Sequence, residues 1–333
     1  MPRLSRLATA ATATLVLGVT AAAPASAHEP LITDSRTVAH FGLAAGQTPE
    51  NIALEPDGSA DLTFALARQI AHVTADGKTR DGRVRVLATL PAVAKAETPV
   101  VHRAVVTGIV RAANGTRYVS YATGTRETGI WRVPGNGGAP VQIAELPRDG
   151  LPNGLALDEH RNMLYAADSV LGTVWRVAAS GGKATAWAKG TRLQPLTANP
   201  GSSSGYGANG IKVHRDAVWV SNSVRGTLLR FPLRADGSAG PAETRATGLA
   251  GIDDFAFPGH GSSVLAALND TSQVVLVRRD GTRTVVLTPR DGLSNPASVA
   301  VRGRTLYVPS GAFVTRQDPN LLLARLRYPA GRL

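Results

Sequence analysis

The sequence predicts an all-β fold, a six-bladed β-propeller whose sixth blade is closed by an N-terminal strand, and three observations predict it. A short alternating strand running into a Gly-bearing turn recurs six times: IAHVTADG (70–77), IWRVPGNG (130–137), VWRVAASG (174–181), LLRFPLRADG (228–237), VVLVRRDG (274–281) and, more loosely, LLARLRYPAG (322–331). Alternation and turn signals run throughout, while no segment after residue 27 holds a helical period over about ten residues. The repeats fall in units of roughly 45 to 55 residues with room for four short strands each, which suits a radial array. A β-sandwich or solenoid is the alternative arrangement of such strands.

In chain order, residues 1–27 (MPRLSRLATAATATLVLGVTAAAPASA) read as an export signal: Arg3 and Arg6, an apolar run, then Ala25-Ser26-Ala27, the small-x-small pattern of a cleavage site. The run is Ala/Thr-rich and less apolar than a bilayer span needs, so the expectation is a secreted chain starting at His28 rather than an anchored one. Residues 36–41 (RTVAHF) alternate like a strand but belong to no repeat. The first unit opens at Glu50-Asn51-Ile52, and the second holds a hairpin, IVRAANGTRYVSY, around Asn114-Gly115. The third and fourth open with paired apolar strands, LALDEHRNMLYAADS (155–169) and IKVHRDAVWVSNS (211–223), and the fifth opens at Asp253-Asp254-Phe255. Trp131 and Trp175 occupy the same place in their copies.

The sixth unit has strands at 299–301, 305–308 and 321–328 and then only five residues. It therefore lacks an outer strand. Pairing 36–41 with 321–328 supplies one, covers an open edge and makes 28–333 a single closed domain.

With 43% hydrophobic and 18% charged residues in 333, the chain is no disordered tail. The absence of cysteine excludes a disulfide framework, a zinc ribbon and a thiol nucleophile. The net charge of +12, which becomes +10 without Arg3 and Arg6, is mostly arginine, since only five of 36 cationic residues are lysine. Those charges are scattered through strands and turns instead of clustered among stacking aromatics, so no nucleic-acid partner is expected. The expected partner is a small-molecule substrate, with no membrane anchor, and the expected state is a monomer.

Aligning the six units on their innermost strands places Glu50, Thr107, Asn153, Asn209, Asp253 and Ala297 at one position just before each strand. Such side chains converge on the propeller axis at one face. Carboxylate and amide oxygens without histidine or cysteine suit a hard divalent cation, calcium first, with magnesium, manganese or zinc as alternatives. Asn153-Gly154 and Asn209-Gly210 also read as simple turn dipeptides, but turn chemistry does not account for their register with Glu50 and Asp253.

These pieces, Pro-Glu50-Asn51-Ile-Ala-Leu, Leu-Pro-Asn153-Gly-Leu-Ala-Leu-Asp, Ala-Asn209-Gly-Ile-Lys-Val and Ile-Asp253-Asp254-Phe-Ala-Phe, resemble the senescence marker protein or gluconolactonase family, also called regucalcin-like, and more distantly the paraoxonases, over roughly 49–328. The resemblance implies that Glu50, Asn209 and Asp253 are metal ligands and that Asn153 is a ligand or a substrate contact. It departs from the family at Glu50-Asn51-Ile52, where Glu-Gly-Pro is usual, and at Asp253-Asp254, where Asp-Gly is frequent; these forms look like a divergent branch that includes fungal cyclases.

The expected function is a calcium-dependent lactonase or related ester hydrolase with Asp253 as general base and Asn153 orienting the carbonyl. A non-hydrolytic binding or cyclase propeller with the same ligands, or a scaffold, are the alternatives. Further pocket candidates are His102, Asp254, and the residues after each second strand: Asp168 and Ser169, Asn222 and Ser223, Asn269 and Asp270. The Gly/Ser/Pro-containing insertion 190–207 is a candidate lid. Its Gly201-x-Ser203-x-Gly205 lacks the flanking strand and helix of a nucleophile elbow and is not read as one.

Overall fold

A computed structural model describes residues 31–74, 82–196 and 205–327. The proposed signal 1–27 and His28, the end of the first repeat turn, the 197–204 part of the insertion and Tyr328 lie outside the described residues.

The chain enters through β1 (Ile32–His40) and then runs through the blades in order. Blade one is β2 (Pro49–Leu54), β3 (Ala60–Phe64), β4 (Gln69–Thr74) and β5 (Arg83–Thr89). Blade two is β6 (Val105–Arg111), β7 (Arg117–Ala122), β8 (Gly129–Val133) and β9 (Val141–Glu145). Blade three is β10 (Pro152–Asp158), β11 (Met163–Asp168), β12 (Thr173–Ala178) and β13 (Thr185–Lys189). Blade four is β14 (Ala208–His214), β15 (Ala217–Asn222), β16 (Thr227–Pro232) and β17 (Glu243–Ala246). Blade five is β18 (Ile252–Ala256), β19 (Val264–Leu268), β20 (Gln273–Val277) and β21 (Arg283–Leu287). Blade six is β22 (Ala300–Arg302), β23 (Thr305–Ser310), β24 (Asn320–Leu326) and, outermost, β1.

Each blade is an antiparallel four-stranded sheet, and the innermost strands β2, β6, β10, β14, β18 and β22 touch one another in a closed circuit. The repeated Gly-turn strand is the third strand of every blade; Trp131 and Trp175 sit at matching positions in β8 and β12. The closure by the N-terminal strand is as expected, with wider bounds: β1 pairs β24 from Ile32 opposite Leu326 to His40 opposite Asn320. Phe41 N extends the ladder to Pro319 O at 2.8 Å. Val38 and Ala39 are buried in the seam with blade one, so this strand contributes packing as well as hydrogen bonds.

The core is divided into seams. Each large cluster of buried apolar residues draws on two neighbouring blades, as when Tyr165 and Trp187 of blade three meet Ile211 and Phe231 of blade four. Alternation explains this: in β23, β19 and β15 both faces are buried because a blade has a neighbour on each side.

Candidate functional site

The innermost strands share one irregularity. A β-bulge falls at Pro49/Asn51 in β2, Val106/Ile109 in β6, Pro152/Leu155 in β10, Ala208/Ile211 in β14 and Ile252/Phe255 in β18. The aligned residues Glu50, Thr107, Asn153, Asn209 and Asp253 sit at these bulges, within the strands rather than just before them. A bulge unpairs the local ladder and re-aims its side chains. Here it aims all five into a single cavity of about 480 Å³. At the sixth position Ala297 is buried, ahead of the short β22 and outside the cavity lining.

The strands approach closely because the next residue in three blades is glycine. A Cβ on Gly108 would meet Asn153 O at 2.4 Å, and one on Gly154 would meet Asn209 O at 2.4 Å. Where the glycines stop, polar side chains fill the space: Asn51, Asp254 and Ser298 occupy this level in blades one, five and six. Asp254 accepts from Lys212 Nζ (2.6 and 2.8 Å), Ser298 Oγ (2.7 Å) and Asn51 Nδ2 (3.2 Å).

The orientation of each amide is set by a partner from the same blade. Asn153 Nδ2 donates to Ser169 Oγ (3.2 Å), whose own proton goes to Ala208 O (2.7 Å) in the next blade. Asn209 Nδ2 donates to Ser223 Oγ (2.9 Å), which donates in turn to Ile252 O (2.6 Å). Tying back the Asn153 nitrogen leaves its Oδ1 as the acceptor offered to a ligand, whereas the Asn209 amide also donates to Asp253. In blade five Asn269 Nδ2 donates to Asp253 Oδ2 (3.3 Å) and so orients the carboxylate.

Glu50 is pushed up to about 8, first by burial and then by the nearby Asp254 charge. Asp253 is raised well above the usual carboxylate range by burial and by Glu50, Asp254 and Asp270, opposed by the Asn209 amide. Two acids crowded into a poorly solvated site favour a shared proton or a cation between them. Tyr206 lines the same cavity; burial, Glu50 and Asp253 raise its hydroxyl, which stays neutral and able to donate.

Of the wider candidates, Asn269, Asp270 and Ser223 line the cavity. Four others do not. Asp254 lies beside it, 1% exposed and consumed by the Lys212 contact. Asp168 caps its own turn, accepting from Leu151 N, Val170 N and Leu171 N and from Trp175 Nε1. Asn222 ties down the insertion, donating to Arg192 O and Gln194 O. In blades three and four the pleat explains the difference: Asp168 and Asn222 end the second strand facing the turn, and the following serines contact the axial asparagines. His102 is at the surface, its side chain 71% exposed and paired with Glu97. Sequence reasoning missed Tyr206, Arg103, Phe313, Val314 and Arg316, which come from loops without a motif; the only signal was that Tyr206 falls in the long insertion before Asn209.

No family model matches the chain, and no curated protein does. Solved structures match over most of the chain. A gluconolactonase from Xanthomonas campestris superposes with a TM-score of 0.60 at 16% identity, over 88% of this chain and 95% of that one. Regucalcin from Agrobacterium tumefaciens, a calcium-binding protein, gives 0.59 at 15% identity over 90% and 98%. The chain shares the fold of gluconolactonase-like and regucalcin-like propellers. The PQQ-bound aldose sugar dehydrogenase of Streptomyces coelicolor has a similar fold too, with a TM-score of 0.59 at 16% identity over 88% and 97%. One propeller thus serves different chemistries, and function has to be argued from the axial site.

Proposed function

We propose that this chain is a secreted, monomeric hydrolase of lactones or related esters that works with a divalent cation, calcium first. The observation carrying this reading is the convergence of Glu50 and Asp253 with the oriented amides of Asn153 and Asn209 in one cavity. Among the described residues there is no cluster of three or more His, Cys, Asp and Glu suited to a metal. The donor set is therefore mixed, two carboxylates with amide oxygens, and it fits a hard cation that would relieve the carboxylate crowding. Glu50, Asn209 and Asp253 would hold the cation, with Asn153 a fourth donor or the residue that orients the substrate carbonyl. The cation would supply charge against the oxyanion of ester hydrolysis.

The residues of the chain account for the remainder. Asp253, oriented by Asn269, takes a proton from water as the water oxygen bonds to the carbonyl carbon. It returns that proton to the alkoxide oxygen as the acyl C–O bond breaks, leaving a hydroxy acid. Tyr206 offers a neutral hydroxyl at the same cavity. Among the described residues no helix is long and apolar enough to cross a membrane.

The test is turnover of a lactone panel with and without chelator. Wild type should hydrolyse at least one member only with metal, and Glu50→Gln and Asp253→Asn should each lower kcat/KM by about 10²-fold or more. Tight calcium binding without any turnover would instead favour the binding or cyclase reading.

A further inference from the structure

Three carboxylates, Glu50, Asp253 and the exposed Asp270, line the axial cavity, and two exposed cations line it with them. Arg103, from the loop before β6, and Arg316, from the loop between β23 and β24, both line the cavity from opposite sides of blade one. Among the described residues neither guanidinium has a carboxylate or hydrogen-bond partner. The same lining includes the apolar side chains Leu66, Val100, Val101, Phe313 and Val314.

Both loops are held in place. Val100 takes a positive φ of 71°, unusual for a β-branched residue, and His102 one of 58°, while Val101 N bonds Pro99 O and His102 N bonds Thr98 O. The other loop is tied by Asn295, whose Oδ1 accepts from Val314 N (3.0 Å) and Thr315 N (2.8 Å) and whose Nδ2 donates to Asn269 O (3.0 Å). Arg316 N closes that turn on Ala312 O. The apolar wall and the two cations are therefore presented by pre-ordered backbone.

We propose that the ligand of this cavity is an organic anion with an apolar body, and that Arg103 and Arg316 hold its anionic group while the body lies along Val100, Val101, Phe313 and Val314. This deepens the proposed hydrolase, since its substrate would be an acid-bearing amphipathic lactone or ester, and it rests on that reading for the cavity's use. A polyhydroxylated sugar lactone gains less from this wall, because any hydroxyl set along it would meet apolar side chains that offer no hydrogen bonds. An acid-bearing ligand gains charge-assisted pairing with guanidinium and buries its body.

The test measures binding and needs no turnover, so it fails or succeeds independently of the hydrolase assignment. Calorimetry on the chain would compare 4-phenylbutyrate with its neutral amide and with gluconate, with and without EDTA. The carboxylate should bind at least about tenfold more tightly than the amide and more tightly than gluconate, and higher salt should weaken it. In Arg103→Gln/Arg316→Gln the acid should lose that preference while the amide binds as before, and Arg103→Lys/Arg316→Lys should restore part of it. Equal affinity for acid and amide would overturn the proposal. So would a preference that survives the glutamine variant and disappears with EDTA, which would place the carboxylate on a bound cation.

Discussion

At the scale of single residues, the two departures from the family pattern answer each other in space. Asn51 stands where glycine is usual after the first carboxylate, and Asp254 where glycine is frequent after the last; across the axis Asn51 Nδ2 donates to Asp254 Oδ2 at 3.2 Å. Read separately along the chain, each weakens the resemblance, and Asp254 passes for a pocket residue. Together with Lys212 and Ser298 they form a clasp beside the acids that line the cavity. Removing one member of such a pair leaves a buried charge uncompensated, so Asp254→Ala should cost about 3 kcal/mol of stability. Asn51→Ala should cost about 1 kcal/mol. The double variant should fall short of their sum by about 0.5 kcal/mol or more in denaturant titrations. Simple additivity would show that the two residues do not act as a pair.

At the scale of elements, β1 has the greatest topological consequence. A missing outer strand was countable in the sequence because blade six ran out of residues, and the orphan alternation at 36–41 was the one available partner. Its true extent, Ile32–His40, was not countable, since the bulges between Thr33 and Arg36 and between Thr37 and Ala39 break the alternation. Val38 is fully buried in the seam with blade one. Val38→Asp would put a charge there and should destabilise the ring by about 3 kcal/mol, whereas Arg36→Ala, on an exposed side chain, should stay within about 0.5 kcal/mol. Thermal unfolding of the two variants decides the point; an unchanged midpoint for Val38→Asp would mean that β1 does not hold the ring closed. The bulges of the innermost strands show the same limit. Their apolar-polar pattern announces strands, while the turning of Glu50, Asn153, Asn209 and Asp253 toward one point depends on pairing with the second strand.

At the scale of the whole molecule, six blades meet at an axis where the crowded acids favour protonation in the folded state. Glu50 holds its proton up to about pH 8, whereas an unfolded glutamate loses it near 4.5. A carboxyl raised in this way binds more protons folded than unfolded, so without metal the stability should fall as pH rises from about 4.5 to about 8. A cation replaces those protons, so the rise in Tm caused by calcium over EDTA should be small at pH 5 and larger at pH 8. A calcium effect independent of pH, or none at pH 8, would remove the cation from this site. By itself the sequence determined the blade count, the ring closure and the shared register of Glu50, Asn153, Asn209 and Asp253, because repeats and alternation are local and survive projection onto one dimension. The tertiary structure alone decided that Asp254 is a clasp, that Asp168 and Asn222 tie loops, and that Tyr206, Arg103 and Arg316 reach the cavity. Those roles depend on which blade a side chain meets across the axis or in the cavity, and that is fixed only when the ring closes.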